Sequence, residues 1–231
     1  MKEVFVKTKN VKLLESGIKE IRENSVGGEH ILLVAGKAGL GKSHAAMHHA
    51  AHNKGTAMIR VLELMRGSWL LRDTLKELGV EPEHRVYSMF NQIISLQMGL
   101  PKDKKRLLIF DEIDRITNKP EILETIRDLH DVCQCPIVLI GEEKVDTKLI
   151  KNRRFYRRIV DVIRFEDFDR AGVAEVIEQL SEVKFDSKAI DKAHEVCGGM
   201  ISGVLNVIKD AERAAASNNL SVVKVENLWK N

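Results

Sequence analysis

Ile31-Leu32-Leu33-Val34-Ala35-Gly36-Lys37-Ala38-Gly39-Leu40-Gly41-Lys42-Ser43 is the most informative stretch of the chain. Its first five residues form an apolar run of strand length, as expected of a parallel strand buried on both faces. The next eight fit G-x-x-x-x-G-K-[ST], with helical residues 42–52 behind them, which is the pattern of a phosphate-binding loop. Glycines let the backbone turn tightly and aim N–H groups at phosphate oxygens. The helix N-terminus adds partial positive charge. Lys42 supplies a point charge for the β- and γ-phosphates, and the Ser43 hydroxyl a ligand for Mg²⁺. Gly36, Lys37, Ala38, Gly39, Leu40, Gly41, Lys42, Ser43 and His44 are therefore the expected nucleotide-binding residues.

Outward from the loop, strands and helices alternate. Val11, Leu14, Ile18 and Ile21 recur at helical spacing over 10–23, and Gly27-Gly28 breaks that helix. Strands are predicted at 57–62, 107–110 and 137–140. Helices are predicted at 68–78 (Ser68 as N-cap, Gly79 after the end), 83–98 and 120–132. The alternation through 31–165 predicts an α/β fold with a parallel sheet covered on both faces. After Phe168 no strand is expected. Helices at 170–181, 187–196, 201–216 and 225–230 predict a small all-α lid, with domains 1–167 and 168–231.

Leu107-Leu108-Ile109-Phe110-Asp111-Glu112 ends a buried strand in two carboxylates. Asp111 is expected to hold Mg²⁺, and Glu112 to orient and polarise the attacking water. Five of the eight residues 151–158 are cationic. They follow the strand 137–140 by a short connection, near the sheet edge where such folds bind ligands. Arg has the fork geometry to complete a γ-phosphate site in trans. A phosphate-backbone contact and a solvated basic surface are the alternatives.

Composition narrows the classes further. The chain has 231 residues, 37 Lys plus Arg against 34 Asp plus Glu, 44% apolar residues and few prolines. That excludes a disordered or collagen-like chain. A net charge of +3 permits nucleic-acid binding without demanding it. Cys133, Cys135 and Cys197 are too few for a disulfide framework and read as reduced thiols. No apolar run spans a membrane and the N-terminus lacks a signal-peptide core, so a cytoplasmic protein is expected.

The ordered set of Gly36–Ser43, Asp111-Glu112, an Arg-rich stretch and a helical lid resembles an AAA+ ATPase of the P-loop NTPase fold. Residues 126–131 (IRDLHD) running into 136–141 (PIVLIG), with 107–116 (LLIFDEIDRI) and Gly198-Gly199, are similar to the DNA-transposition ATPases, the group of the phage Mu B protein and its TnsC and TniB relatives. The resemblance covers roughly 10–230. It implies ATP bound with Mg²⁺ between subunits of a filament or ring, sequence-independent coating of double-stranded DNA, and recruitment of a transposase. It also implies slow ATP hydrolysis, stimulated by DNA or partner, that drives disassembly in a bacterial cytoplasm. The trans arginine falls in the cluster as Arg154, with Arg153, Arg157 and Arg158 as rivals. Two departures stand out. Gly141-Glu142 occupies the place of a polar sensor, and an ionised Glu142 donates no hydrogen bond. Ser202, Gly203 and Val204 stand where many relatives carry a lid arginine. A helicase-loader or initiator-type ATPase shares every nucleotide motif, and a regulatory ATPase without DNA binding is a further alternative.

No base-reading helix is visible, which suits backbone contacts. Candidates for DNA contact are Arg66, Ser68 and Arg72, then Lys102, Lys104, Lys105 and Arg106, and Lys119. Trp69 reads as core packing before base stacking. His44, His48 and His52 share a helix face, with polar packing preferred over a metal site. Asp114 and Arg115 are read as an ion pair or subunit contacts.

Overall fold

The structure is a computed structural model, and it describes residues 1–23 and 30–229; the side chain of Lys102 is also outside the description. The predicted break at Gly27-Gly28 lies outside the described residues. Two compact units emerge. One comprises Leu13–Lys37 and Lys42–Phe165, the other Met1–Lys12, Ala38–Gly41 and Glu166–Asn231.

The larger unit is built on five parallel strands: β1 (Ile31–Ala35), β2 (Thr56–Arg60), β3 (Leu107–Asp111), β4 (Ile137–Gly141) and β5 (Ile159–Arg164). Their order is β2-β3-β4-β1-β5. Every residue of β1, β3 and β4 is buried, which explains why these three read as unbroken apolar runs. β1 lies between β4 and β5, where the winding reverses, and its carboxyl end leads into the phosphate loop. β3 and β4 are in register from Leu108↔Ile137 to Phe110↔Leu139, so Asp111 and Gly141 come out on the same sheet edge.

Helices α1 (Lys9–Glu23), α2 (Lys42–His52), α3 (Gly67–Glu77), α4 (Val86–Gln97) and α5 (Pro120–Cys133) match the apolar periodicity. α1 buries Leu14, Ile18 and Ile21. α5 starts on Pro120 and stops at left-handed Gln134. Two short helices follow, α6 (Val145–Leu149) and α7 (Arg153–Tyr156).

Several boundaries differ from expectation. β2 ends at Arg60: Val61 still donates to the Asp111 carbonyl at 2.8 Å, and the chain then turns, with Met65 donating to Leu62. Ser68 is not an N-cap. α3 begins at Gly67 on extended Arg66, whose carbonyl accepts from Trp69 and Leu70, and no side chain caps it. α4 starts three residues late, because Gln92 holds the backbone of Glu81 and Glu83 in an extended arm.

The smaller unit carries α8 (Arg170–Leu180), α9 (Ser187–Cys197), α10 (Ile201–Asn218) and α11 (Val225–Leu228). Asp169 and Asp186 cap α8 and α9 by accepting from Gly172 and Ala189. The expectation of no strand after Phe168 is corrected. β6 (Lys184–Phe185) and β7 (Val222–Val223) pair in parallel, a ribbon too short to leave a periodic signal. The three cysteines are free and buried. Among the described residues no helix is long and apolar enough to cross a membrane.

Candidate functional site

The phosphate loop takes the conformation its glycines allow. Gly39 and Gly41 have φ of +83° and +86°, where any side chain is strained. The Lys42 ammonium donates to the carbonyls of Gly36 (2.6 Å) and Lys37 (2.8 Å), folded over the loop it must serve. Burial pushes its pKa down, against the pull of the Asp111, Asp114 and Glu142 carboxylates. Ser43 and His44 are exposed in the first turn of α2.

Asp111 is almost fully buried, and its Oδ1 accepts from the Glu112 N–H at 2.9 Å. Glu112 adopts a left-handed backbone (φ 60°), a costly conformation for a side-chain-bearing residue. Arg60 sits opposite Asp111 in the β2–β3 register, which brings its guanidinium to Glu112 Oε1, at 2.9 Å from Nε. Arg115 donates to Oε2. Burial raises the Glu112 pKa, but the two guanidiniums outweigh it, and the net shift is downward. Glu112 is thus a carboxylate held ionised between two arginines. Sequence reasoning missed Arg60. Its only signal was position, the last residue of the strand beside β3, and that neighbourhood exists only in the sheet. Arg115 pairs with Glu112 and not with Asp114.

Asp114 fills the sensor region. Its Oδ2 accepts from the Glu142 N–H at 2.6 Å, while its buried Oδ1 has no hydrogen-bond partner. A Cβ at Gly141 would lie 2.8 Å from that Oδ2 and 2.7 Å from Val145 Cγ2. There is thus no space for a side chain at Gly141, the position expected to hold a polar sensor, and the polar group at this place is the Asp114 carboxylate.

These residues fit a nucleoside triphosphate with Mg²⁺. Lys42 meets phosphate charge, Ser43 and Asp111 supply the oxygen ligands a hard cation takes, and the buried Asp114 Oδ1, with no hydrogen bond and the Lys148 ammonium 3.8 Å away, is a further acceptor in this unit.

The Arg cluster divides. α7 buries Phe155, capped by Asn152 Oδ1 accepting from its N–H, and this turns Arg153, Arg154 and Arg157 outward. These three have no side-chain partner among the described residues. Arg158, unlike the other three, is engaged within the chain by Asp131 (2.8 and 3.1 Å).

The candidate DNA residues do not form one surface. Arg66, Ser68 and Arg72 follow β2 and Lys119 follows β3, all on the carboxyl-edge side of the sheet. Lys102, Lys104, Lys105 and Arg106 precede β3, at the opposite edge. The Lys105 ammonium is bound to the Cys133 carbonyl and that of Lys119 to the Glu63 carbonyl. Arg66 and Arg72 are exposed and without an ion pair among the described residues. Trp69 is 44% exposed and Leu64 78%, so the core-packing reading of Trp69 is corrected. His48 and His52 stack at 4.1 Å, and no metal-binding group of His, Cys, Asp or Glu is found among the described residues.

Residues 24–149 match the model of a family described as AAA domain. No curated protein matches the sequence. Among solved structures, the Aeropyrum pernix ORC2 protein in its ADPNP–ADP complexes is similar over 98% of this chain and 67% of that one, at 14% identity and a TM-score of 0.70. The Aeropyrum pernix ORC1 protein in complex with DNA is similar over 98% and 65%, at 13% identity and a TM-score of 0.66. Cdc6p from Pyrobaculum aerophilum is similar over 98% and 66%, at 14% identity and a TM-score of 0.67. The chain spans about two thirds of the length of each, and at such identities the likeness is one of fold.

Proposed function

The chain belongs to the AAA domain family, and on that premise we propose that it is an ATPase that assembles on double-stranded DNA and selects target sites for a transposase in a bacterial cytoplasm. One observation carries the coupling of DNA to hydrolysis. Glu112, the residue read as polarising water, is held by Arg60 and Arg115, on the side of the sheet where Arg66 and Arg72 have no ion pair among the described residues. Phosphates of a DNA backbone are competing partners for these guanidiniums, and binding them frees the carboxylate.

Hydrolysis then follows from the chain's own groups. Lys42 and the loop N–H groups hold the β- and γ-phosphates. Glu112 orients a water and takes its proton as the water oxygen bonds to the γ-phosphorus and the bond to the bridging oxygen of ADP breaks. Mg²⁺, held by Ser43 and Asp111, supplies charge neutralisation on the phosphate oxygens when bound. Arg154, whose side chain has no partner among the described residues, completes a neighbouring subunit's site. ATP therefore favours a filament or ring, because a ligand that binds the assembled state better shifts the population towards it. ADP formation reverses that bias.

The transposase assignment rests on residues 126–141 and 107–116. A second reading, a replication initiator or helicase loader, is favoured by the fold likeness to ORC and Cdc6 proteins, one of them solved with DNA. Negative-stain microscopy on duplex DNA with ATP, with ADP and with Lys42→Ala tests the common part. Assemblies are expected only with ATP and an intact Lys42. Absence of DNA binding at low salt under every nucleotide leaves a regulatory ATPase. Pull-down with a purified transposase against a replicative helicase then separates the two DNA readings.

A further inference from the structure

We propose that Asp131 is a positioning residue for the arginine this chain offers to its neighbour. The inference deepens the proposed function and rests on its reading of Arg154. One guanidinium makes the link. Arg158 donates from Nε to Asp131 Oδ1 (3.1 Å), from Nη2 to Oδ2 (2.8 Å), and from Nη1 to the backbone carbonyl of Arg154 (3.0 Å). The rigid fork of Arg158 therefore ties a carboxylate on α5 to the main chain at Arg154.

Asp131 is itself oriented. His130, 1% exposed, accepts from the His30 N–H at Nε2 (3.1 Å), so its proton sits on Nδ1, which donates to Asp131 Oδ1 at 2.9 Å. The Arg127 Nε lies 3.9 Å from Asp131 Oδ2 as a further cation. Burial raises the Asp131 pKa, and Arg158 and His130 overcome that, leaving it lowered and the carboxylate charged. His30 directly precedes β1, the strand that leads into the phosphate loop. A chain of hydrogen bonds thus runs from the root of that strand through α5 to Arg154.

This tether is needed because α7 has four residues. So short a helix has little stability of its own. Phe155 is its buried anchor and Tyr156 packs partly buried against the same core, both apolar contacts. The Asp131–Arg158 pair adds a directional polar contact at the C-terminal end of the helix, and with it fixes the direction in which Arg154 leaves the surface. A misplacement of 1 Å at a catalytic group costs on the order of 100-fold in rate.

The test uses the full chain, ATP and duplex DNA. Asp131→Asn is expected to lower kcat of the DNA-bound assembly by about 10- to 100-fold while binding of a fluorescent ATP analogue stays unchanged. Mixing with Glu112→Gln chains is the readout that a general structural defect would not move. Those chains cannot hydrolyse at their own site but present a correctly held Arg154, so hydrolysis by Asp131→Asn should recover in the mixture. Arg154→Ala with Glu112→Gln is the parallel mixture. Recovery in both supports the proposal. Recovery for Arg154→Ala with none for Asp131→Asn, or an unchanged kcat in Asp131→Asn alone, overturns the tether and leaves the trans arginine standing. No recovery for Arg154→Ala overturns the reading of Arg154 itself, and the tether with it. If Asp131→Asn does not fold, Arg158→Lys, which keeps the charge and loses the fork, takes its place with the same expectations.

Discussion

Replacing Gly141 with Ala sets two effects of opposite sign against each other. Alanine restricts the unfolded chain, which by itself stabilises by about 0.4–1 kcal/mol where the native backbone accepts it. The backbone at Gly141 does accept it, since its φ is not positive. The space does not. The new methyl would sit 2.7 Å from Val145 Cγ2, 2.8 Å from Asp114 Oδ2 and 2.9 Å from Val145 Cβ, all closer than such contacts ever stand. Val145 is fully buried and cannot swing into solvent. Overpacking of this kind costs roughly 1–3 kcal/mol. The clash wins, with a net loss of about 1–2 kcal/mol, or a Tm lower by roughly 2–8 °C for a chain of this size. The same methyl pushes Asp114 from the Glu142 N–H, so ATP turnover should fall with stability. Calorimetry and a phosphate-release assay measure both. Val145→Ala removes the Cγ2 clash, and the double variant should lose less stability than the two single losses summed. A Gly141→Ala chain melting at or above the parent temperature, with normal turnover, would refute the claim that glycine stands there for lack of space.

Other outcomes follow from the site. Arg60→Ala should raise ATP hydrolysis without DNA and shrink its stimulation by DNA, because Glu112 loses one of its two captors; an unchanged ratio in phosphate release removes Arg60 from the coupling. Arg66→Ala with Arg72→Ala should weaken duplex binding and reduce the slope of log K against log salt by about 0.9 per lost phosphate contact, while Lys104→Ala at the opposite edge leaves it unchanged, as read by anisotropy titration. Asp131 has a folded pKa below its ordinary 3.8, so its contribution to stability is present above that value and lost as pH falls through the lowered one. The Tm gap between the wild type and Asp131→Asn should therefore hold at neutral pH and close on acidification below about pH 4.

The phosphate loop, the two carboxylates and the buried strands were legible in the sequence because each is a local pattern. An apolar run, a glycine spacing and an acid at a strand end depend on neighbours along the chain, and Gly36–Ser43 and Asp111-Glu112 stand in the structure where those patterns put them. What the sequence could not order was any contact between distant segments. Arg60 reaches Glu112 across 52 positions only because β2 and β3 pair in register. The Arg cluster read as Arg154 with three rivals, and nothing along the chain showed that Asp131, 27 positions away, engages Arg158. The basic residues read as three separate groups along the chain, and the parallel pairing of β2 with β3 puts Arg66, Arg72 and Lys119 at one edge and Lys104 and Lys105 at the other. Trp69 had helical spacing in common with core residues, and only packing decided that its ring stays outside. Pattern along the chain determined which chemistry is present; strand pairing, through the hydrogen-bond register that brings remote charges within a few ångströms, decided which groups are free to perform it.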